Sequence, residues 1–388
     1  DHRDLHSFPT RRSSDLTKMK QLTSKQCKYL LIFYVCLNKI MLLPSIICSS
    51  ASNSFWLVLL LMFGFEFLFM LMILSISKQN PDLTLKQRIE VTFGTVFTKI
   101  IYFLIGLLLL FKLCIAIHEC YIYLFDSLYA NYSWFEMLLP LGLYLFYIGI
   151  KSFTNLGRCC EIVKYIIFAC VAISLFDAIP NTELLSLFPL FNTSMPRILN
   201  SGFSVTLWFG DFILLFFMIG DIKVNKNINK DILSGYFIGV AITVVTILFF
   251  YLTYGIIAPL RRMAVIDITQ FVSKLSISSN FSWIVTSSWI VAVAFNLGLL
   301  MYLTNKSFAI CFGVKDIYRK QLSFIVVIGV FVVLVVFNFR INNMMKFLNG
   351  YFKYYVFCVQ YILPLIILPI SAIKSSKNQS KRRLEYVK

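Results

Sequence analysis

Charge is what this sequence has least of. Only 14% of its 388 residues are Asp, Glu, Lys or Arg, against 59% hydrophobic, and a water-soluble domain of this size cannot cover its surface with so few. Acids are scarcer than bases, 18 against 36. Of three histidines, His2 and His6 fall in the first six residues, which leaves His118 alone for any imidazole chemistry. There is no Cys/His spacing suited to a metal, no nucleophile with a base and an orienting third group, and no glycine-rich phosphate loop. The expectation is therefore no enzyme, with no catalytic residue, metal or cofactor. Several of the ten cysteines (Cys36, Cys114, Cys170, Cys358) lie inside apolar runs and read as small packing residues rather than disulfide partners.

What the chain does have is apolar runs long enough to cross a bilayer, about twenty residues each. Ten are expected, near 28–49, 54–77, 99–125, 135–152, 161–179, 203–221, 232–256, 282–304, 322–339 and 352–373. Lysines and arginines crowd every second loop and the two ends, the bias that orients membrane proteins with basic loops in the cytoplasm. The net charge of +18 thus reads as topology with both termini cytoplasmic and membrane lipid as the partner, not as a nucleic-acid surface. Residues 1–16 differ sharply in composition, resemble a translated sequencing adapter and are set outside the fold, the alternative being a disordered tail. Residues 17–373 form one transmembrane domain, and 374–388 a basic, disordered cytoplasmic tail suited to an anionic leaflet.

Polar residues inside the runs are the informative ones. The stretch 200–221, NSGFSVTLWFGDFILLFFMIGD, carries Gly210 and Asp211 near its middle. An acid at that depth must face protein or water, and glycine weakens the helix beside it. Two readings stand: a functional site, or a structural acid paired with an intramembrane lysine. The first run holds Asn38, Lys39 and Pro44, which predicts a break near residues 41–45. The third holds Lys112, His118 and Glu119; Lys112 is the candidate partner of Asp211, His118 reads as packing, and Glu119 with Asp126 is expected at the outer interface. In the eighth, Ser287 and Ser288 read as helix packing, with Asn296 nearby. Thr84 to Gly94 predicts a short amphipathic surface helix. The greasy outer segment 182–202 predicts an ordered cap, and 266–275 an interfacial helix.

Runs one and six each open a set of five and each is interrupted beside a charge. Interrupted spans at corresponding positions point to an inverted repeat, here about 28–179 and 203–373, with a binding site at mid-membrane. Broken helices offer N–H groups to a carboxylate and carbonyls to an ammonium group, which matches a zwitterionic amino acid.

The order of several pieces adds to this: NPDLTL after run two, GRCCEI (residues 157–162), SLFPLF and MPRIL in the outer segment, then FGDFILLFFMIGDIK. Together they resemble the spore germination receptor B-subunit family (GerAB-like), a branch of the amino acid-polyamine-organocation superfamily, from about Leu22 almost to the end. The resemblance implies an all-α, LeuT-like 5+5 fold with helices one and six broken. It also implies a germinant receptor subunit in the spore inner membrane or bacterial cytoplasmic membrane, sensing a small nutrient with A and C subunits. The residues expected to line the ligand are Lys39, Met41, Leu43, Ser45, Phe209, Gly210 and Asp211, with Lys112 and Asn296 as second choices; Arg158 and Glu161 are expected to pair in the cytoplasm. The family's usual glutamate is the shorter Asp211 here. The competing reading is a proton-coupled amino-acid permease, with Asp211, Glu119 or His118 carrying the proton.

Overall fold

A computed structural model describes residues 21–79, 83–127, 133–219, 227–261 and 279–386, with residues 222, 263, 264, 267 and 268 between them. The chain is an all-α polytopic membrane protein. Each expected run meets a helix or a broken pair, but length and apolarity qualify only seven helices among the described residues, or eight with one bent pair. The shortfall from ten has a physical origin. The first run is split into α1 (Ser24–Leu37) and α2 (Leu43–Ala51), and the fourth, α6 (Trp134–Ile150), has 17 residues.

The first break lies earlier than expected, at residues 38–42. Pro44 sits in the first turn of α2, where a missing N–H costs nothing, so proline starts the second half-helix instead of occupying the gap. At its other end α1 is fixed by a reciprocal cap, Thr23 accepting from the Gln26 N–H and Gln26 accepting from the Thr23 N–H. After it come α3 (Phe55–Gln79), the surface helix α4 (Leu85–Phe93), α5 (Thr95–Ser127), α6 and α7 (Phe153–Ala178). The expected surface helix is thus present, capped by Thr84 and stopped by Gly94 at φ +86°. Its buried Arg88 donates to the carbonyls of Ile76, Ser77 and Leu83 and so closes the end of α3.

The sixth run is α8 (Met195–Ser204), a 3-10 turn at Thr206–Trp208, an irregular stretch, and α9 (Ile213–Met218), with a 53° bend. Next are α10 (Ile228–Tyr254), α11 (Ser279–Phe312) and α12 (Arg319–Val336). The last run is α13 (Ile341–Phe347), α14 (Lys353–Phe357) and α15 (Leu363–Tyr386), joined through two π-turns. The backbone is helical as far as Tyr386, where a disordered tail was expected. The outer segment is ordered, as expected: Glu183 donates to the Leu252 carbonyl, Thr193 to Ala51 and Arg197 to Ser50. Most of its apolar side chains nevertheless stay exposed, Leu185 at 83%, while Ile198 is buried. Residues 1–16, Asn80 to Asp82, the Asp126 side chain and nearly all of 266–275 lie outside what the structure describes.

Packing places runs one and six at the centre. Run three packs along run eight (α5 on α11), run four on run nine (α6 on α12), run one on run seven (α1 on α10), and run six on run two (α8 on α3). Adding or subtracting five converts each of these four contacts into another of them or into itself.

Candidate functional site

The site begins with what the two breaks leave unsatisfied. A helix that stops inside apolar protein strands carbonyls at one end and N–H groups at the next start, and each stranded group costs about 1–3 kcal/mol if unpaired. At the first break the chain's own polar side chains supply the partners. Asn38 donates to the Tyr34 carbonyl at 2.8 Å and Lys39 Nζ to the Val35 carbonyl at 3.1 Å. Asn38 in turn accepts from Asn296 Nδ2 at 3.0 Å, which brings run eight to the same point.

At the second break the partners come from three other runs. Phe209 is extended and Gly210 has φ +88°, a left-handed conformation in which a side chain would also strike Gln360, 2.5 Å from where a Cβ would lie. Gln360 donates Nε2 to the Thr206 carbonyl at 2.9 Å, and Lys112 Nζ donates to the Phe209 carbonyl. Glu66 of α3 accepts both freed N–H groups on one carboxylate oxygen, Gly210 and Asp211, the latter at 2.9 Å.

One ion pair joins the two breaks. Lys39 Nζ lies 2.7 and 2.6 Å from the two oxygens of Asp211, both side chains fully buried, and it is the only salt bridge among the described residues. Phe63 and Phe209 flank the ammonium, ring centroids at 5.7 and 5.0 Å, in cation–π range. Glu66 and Lys112 are within electrostatic reach of the pair, so the cluster holds two bases and two acids and is formally neutral. A cavity of about 10 Å³, enough for one water, adjoins it between Asn38, Lys112, Glu119 and Trp208.

Several expectations require correction. Lys112 does not pair with Asp211; from its own helix it reaches the Phe209 carbonyl, and Lys39 takes the acid. Glu119, expected at the outer interface, is buried among the helices and accepts from Trp208 Nε1 at 3.4 Å. Arg158 and Glu161 form no ion pair. Lys39, Phe209, Gly210 and Asp211 come together, with Lys112 beside them and Asn296 one hydrogen bond away. Met41, Leu43 and Ser45 are buried, but the Met41 carbonyl accepts from Ala264 and Ser45 Oγ donates to the Pro259 carbonyl, so Met41 and Ser45 bind the turn after α10. His118 packs edge-on to Trp134 and its Nδ1 contacts the Cys114 carbonyl at 3.0 Å. Sequence reading missed Glu66 and Gln360. Glu66 was findable, being the only charged residue between Phe55 and Ser77, whereas an amide in the last run carries no comparable signal.

Gly157, in the GRCCEI piece, packs so closely on Leu22 that a Cβ there would lie 2.5 Å from a Leu22 methyl. Leu22 also bridges Ile222 just past the sixth run, so this piece holds the start of run one and the end of run six together. No curated protein matches the chain. A family model described as spore germination protein matches residues 21–344, which cover the pieces that carried the resemblance, both breaks and all of the ion-pair cluster but Gln360. The chain therefore belongs to the spore germination protein family.

Proposed function

We propose that this protein is a germinant receptor B subunit that senses a small zwitterionic nutrient, an amino acid, where runs one and six are broken. The observation that carries this reading is the buried Lys39–Asp211 pair. A bare ion pair is a poor way to stabilise a buried core, since desolvation offsets most of its attraction. As a latch between two half-helices it has another use. An amino acid carries the same two charges, so its ammonium competes with Lys39 for Asp211 while its carboxylate competes with Asp211 for Lys39, with Lys112 beside it. With room for about one water at the cluster, the ligand binds only as the breaks move apart, and it shifts the population toward that opened arrangement. The exchange of contacts on adding five to the run number supports a 5+5 inverted repeat. In this reading A and C subunits sense the shift, the membrane is the spore inner membrane, and both termini are cytoplasmic.

The second reading, a proton-coupled permease, is favoured by one observation: Glu66 and Glu119 are buried carboxylates beside the breaks with no ion-pair partner. Thermal stability of the purified protein across an amino-acid panel, repeated with Asp211→Asn, tests the shared site. Stabilisation by one amino acid that disappears in the variant is the expected result. No shift with any amino acid, in folded protein, would sink the amino-acid site. Uptake into proteoliposomes then separates carrier from sensor.

A further inference from the structure

A second feature is lined in part by run six. Between α3, α8 and the last run is an open groove of about 520 Å³. Among its lining side chains only Thr206 and Tyr361 bear a polar atom. On α3 it follows Leu61, Phe65, Leu68 and Met72, a three-to-four-residue spacing that keeps one helix face in the groove. From Leu61 to Met72 the rise is about 17 Å, and half of a hydrocarbon core about 30 Å thick is about 15 Å. The groove has the length of one acyl chain in one leaflet. Phe65, Leu68 and Leu365 are exposed at 51%, 60% and 57%, so the walls are open to whatever surrounds the helices.

One end of the groove is charged. Phe203 and Phe357 line it and pack together at 5.0 Å, and Lys353 Nζ lies 5.7 Å from the Phe203 ring and 5.3 Å from that of Tyr354. No carboxylate pairs with Lys353 among the described residues. A fixed cation at the head of an apolar channel one leaflet deep complements a phosphate above an acyl chain.

We propose that this groove is a binding site for one anionic phospholipid, its phosphate at Lys353 and one acyl chain along α3. The chain would lie against residues that brace the broken helix. Phe69 and Tyr361 line the groove, and both pack on Phe212, next to Asp211, Phe69 stacked at 4.8 Å and Tyr361 at 6.2 Å. Thr206, also in the lining, holds Gln360 through its carbonyl, and Gln360 fills the space over Gly210. A bound lipid therefore supports the outer wall of the second break. This site is separate from the ion pair and stands whether or not an amino acid binds there.

The test is native mass spectrometry of the full chain released from detergent, titrated with dipalmitoyl phosphatidylglycerol, dipalmitoyl phosphatidylcholine and palmitate. The expected result is one phosphatidylglycerol adduct that outlasts all others. Lys353→Gln should weaken it about fivefold, to the level of phosphatidylcholine, the effect of one lysine near an anionic head group. Leu68→Trp and Leu365→Trp, at exposed positions that do not disturb the core, should remove the first adduct for both lipids by filling the channel. Equal first adducts in wild type and both tryptophan variants would overturn the site. Palmitate binding as tightly as phosphatidylglycerol would overturn the phospholipid assignment, and equal binding of the two phospholipids by wild type would overturn the role of Lys353.

Discussion

Replacing Asp211 by Asn removes one charge from a pair whose partner, Lys39, cannot move away: its ammonium is enclosed by Phe63 and Phe209 and anchored on the Val35 carbonyl. The cost is that of a buried uncompensated cation, about 3–5 kcal/mol, and Lys39→Met should cost as much by leaving Asp211 alone near Glu66. The partners left behind set the order. In Asp211→Asn the ammonium keeps the Val35 carbonyl and the two rings, whereas in Lys39→Met the Asp211 carboxylate keeps no hydrogen-bond donor among the described residues, so Lys39→Met should be at least as costly. The double variant, with neither charge, restores formal neutrality and should regain most of the loss, a coupling of about 3 kcal/mol, at the upper end for residues in contact. Reversible unfolding in mixed micelles, run as a double-mutant cycle, reads these numbers. Strictly additive losses would refute the reasoning, because they would mean the two charges do not stabilise one another. A larger loss in Asp211→Asn than in Lys39→Met would refute the part assigned to the Val35 carbonyl and the two rings.

The remaining predictions concern the second break. Glu66→Leu leaves the Gly210 and Asp211 N–H groups buried without an acceptor and should cost about 2–6 kcal/mol, while Glu66→Gln, which keeps an acceptor oxygen, should cost clearly less; equal losses in the same unfolding assay would show that the two N–H bonds matter little. Gly210→Ala should destabilise by about 1–3 kcal/mol from backbone strain plus the contact with Gln360. Adding Gln360→Ala should not recover that loss in full, since it relieves the contact but not the φ, and complete recovery would locate the whole effect in packing.

Much of this was legible because ionisable residues are rare in the chain, so those inside apolar runs stand out. Lys39 and Asp211 could be singled out on depth alone. Their partnership could not: residues 172 apart in sequence meet only through the packing of runs one and six, and Lys112, equally deep, looked as good a partner. Its actual acceptor, a backbone carbonyl, has no mark in the sequence at all. The same applies to Met41 and Ser45. Proline placed the first break at 41–45, yet proline is tolerated in the first turn of a helix, so the break moved back to Asn38, and Met41 and Ser45 bond to the turn after α10 instead. The resemblance held because it rested on the order of many pieces spread over the chain, which survives where any one motif is weak.

The two breaks are not equivalent in how they are satisfied, and that difference bears on which one moves. Run one closes its break with its own side chains, Asn38 and Lys39 folding back onto Tyr34 and Val35. Run six closes its break with Glu66, Lys112 and Gln360, borrowed from three other runs. A helix end capped locally keeps its partners when it shifts, but an end held by its neighbours must exchange them. Displacing run six therefore disturbs runs two, three and ten together, while displacing run one alters the Lys39–Asp211 link, the bond from Asn296 and the bonds of Met41 and Ser45 to the turn after α10. In the proposed reading, charge that replaces Lys39 at Asp211 acts where the two breaks are joined, and its effect spreads through the run whose partners are distributed. Such an arrangement suits the proposed sensor: a local exchange of ions, reported by a segment that cannot move alone.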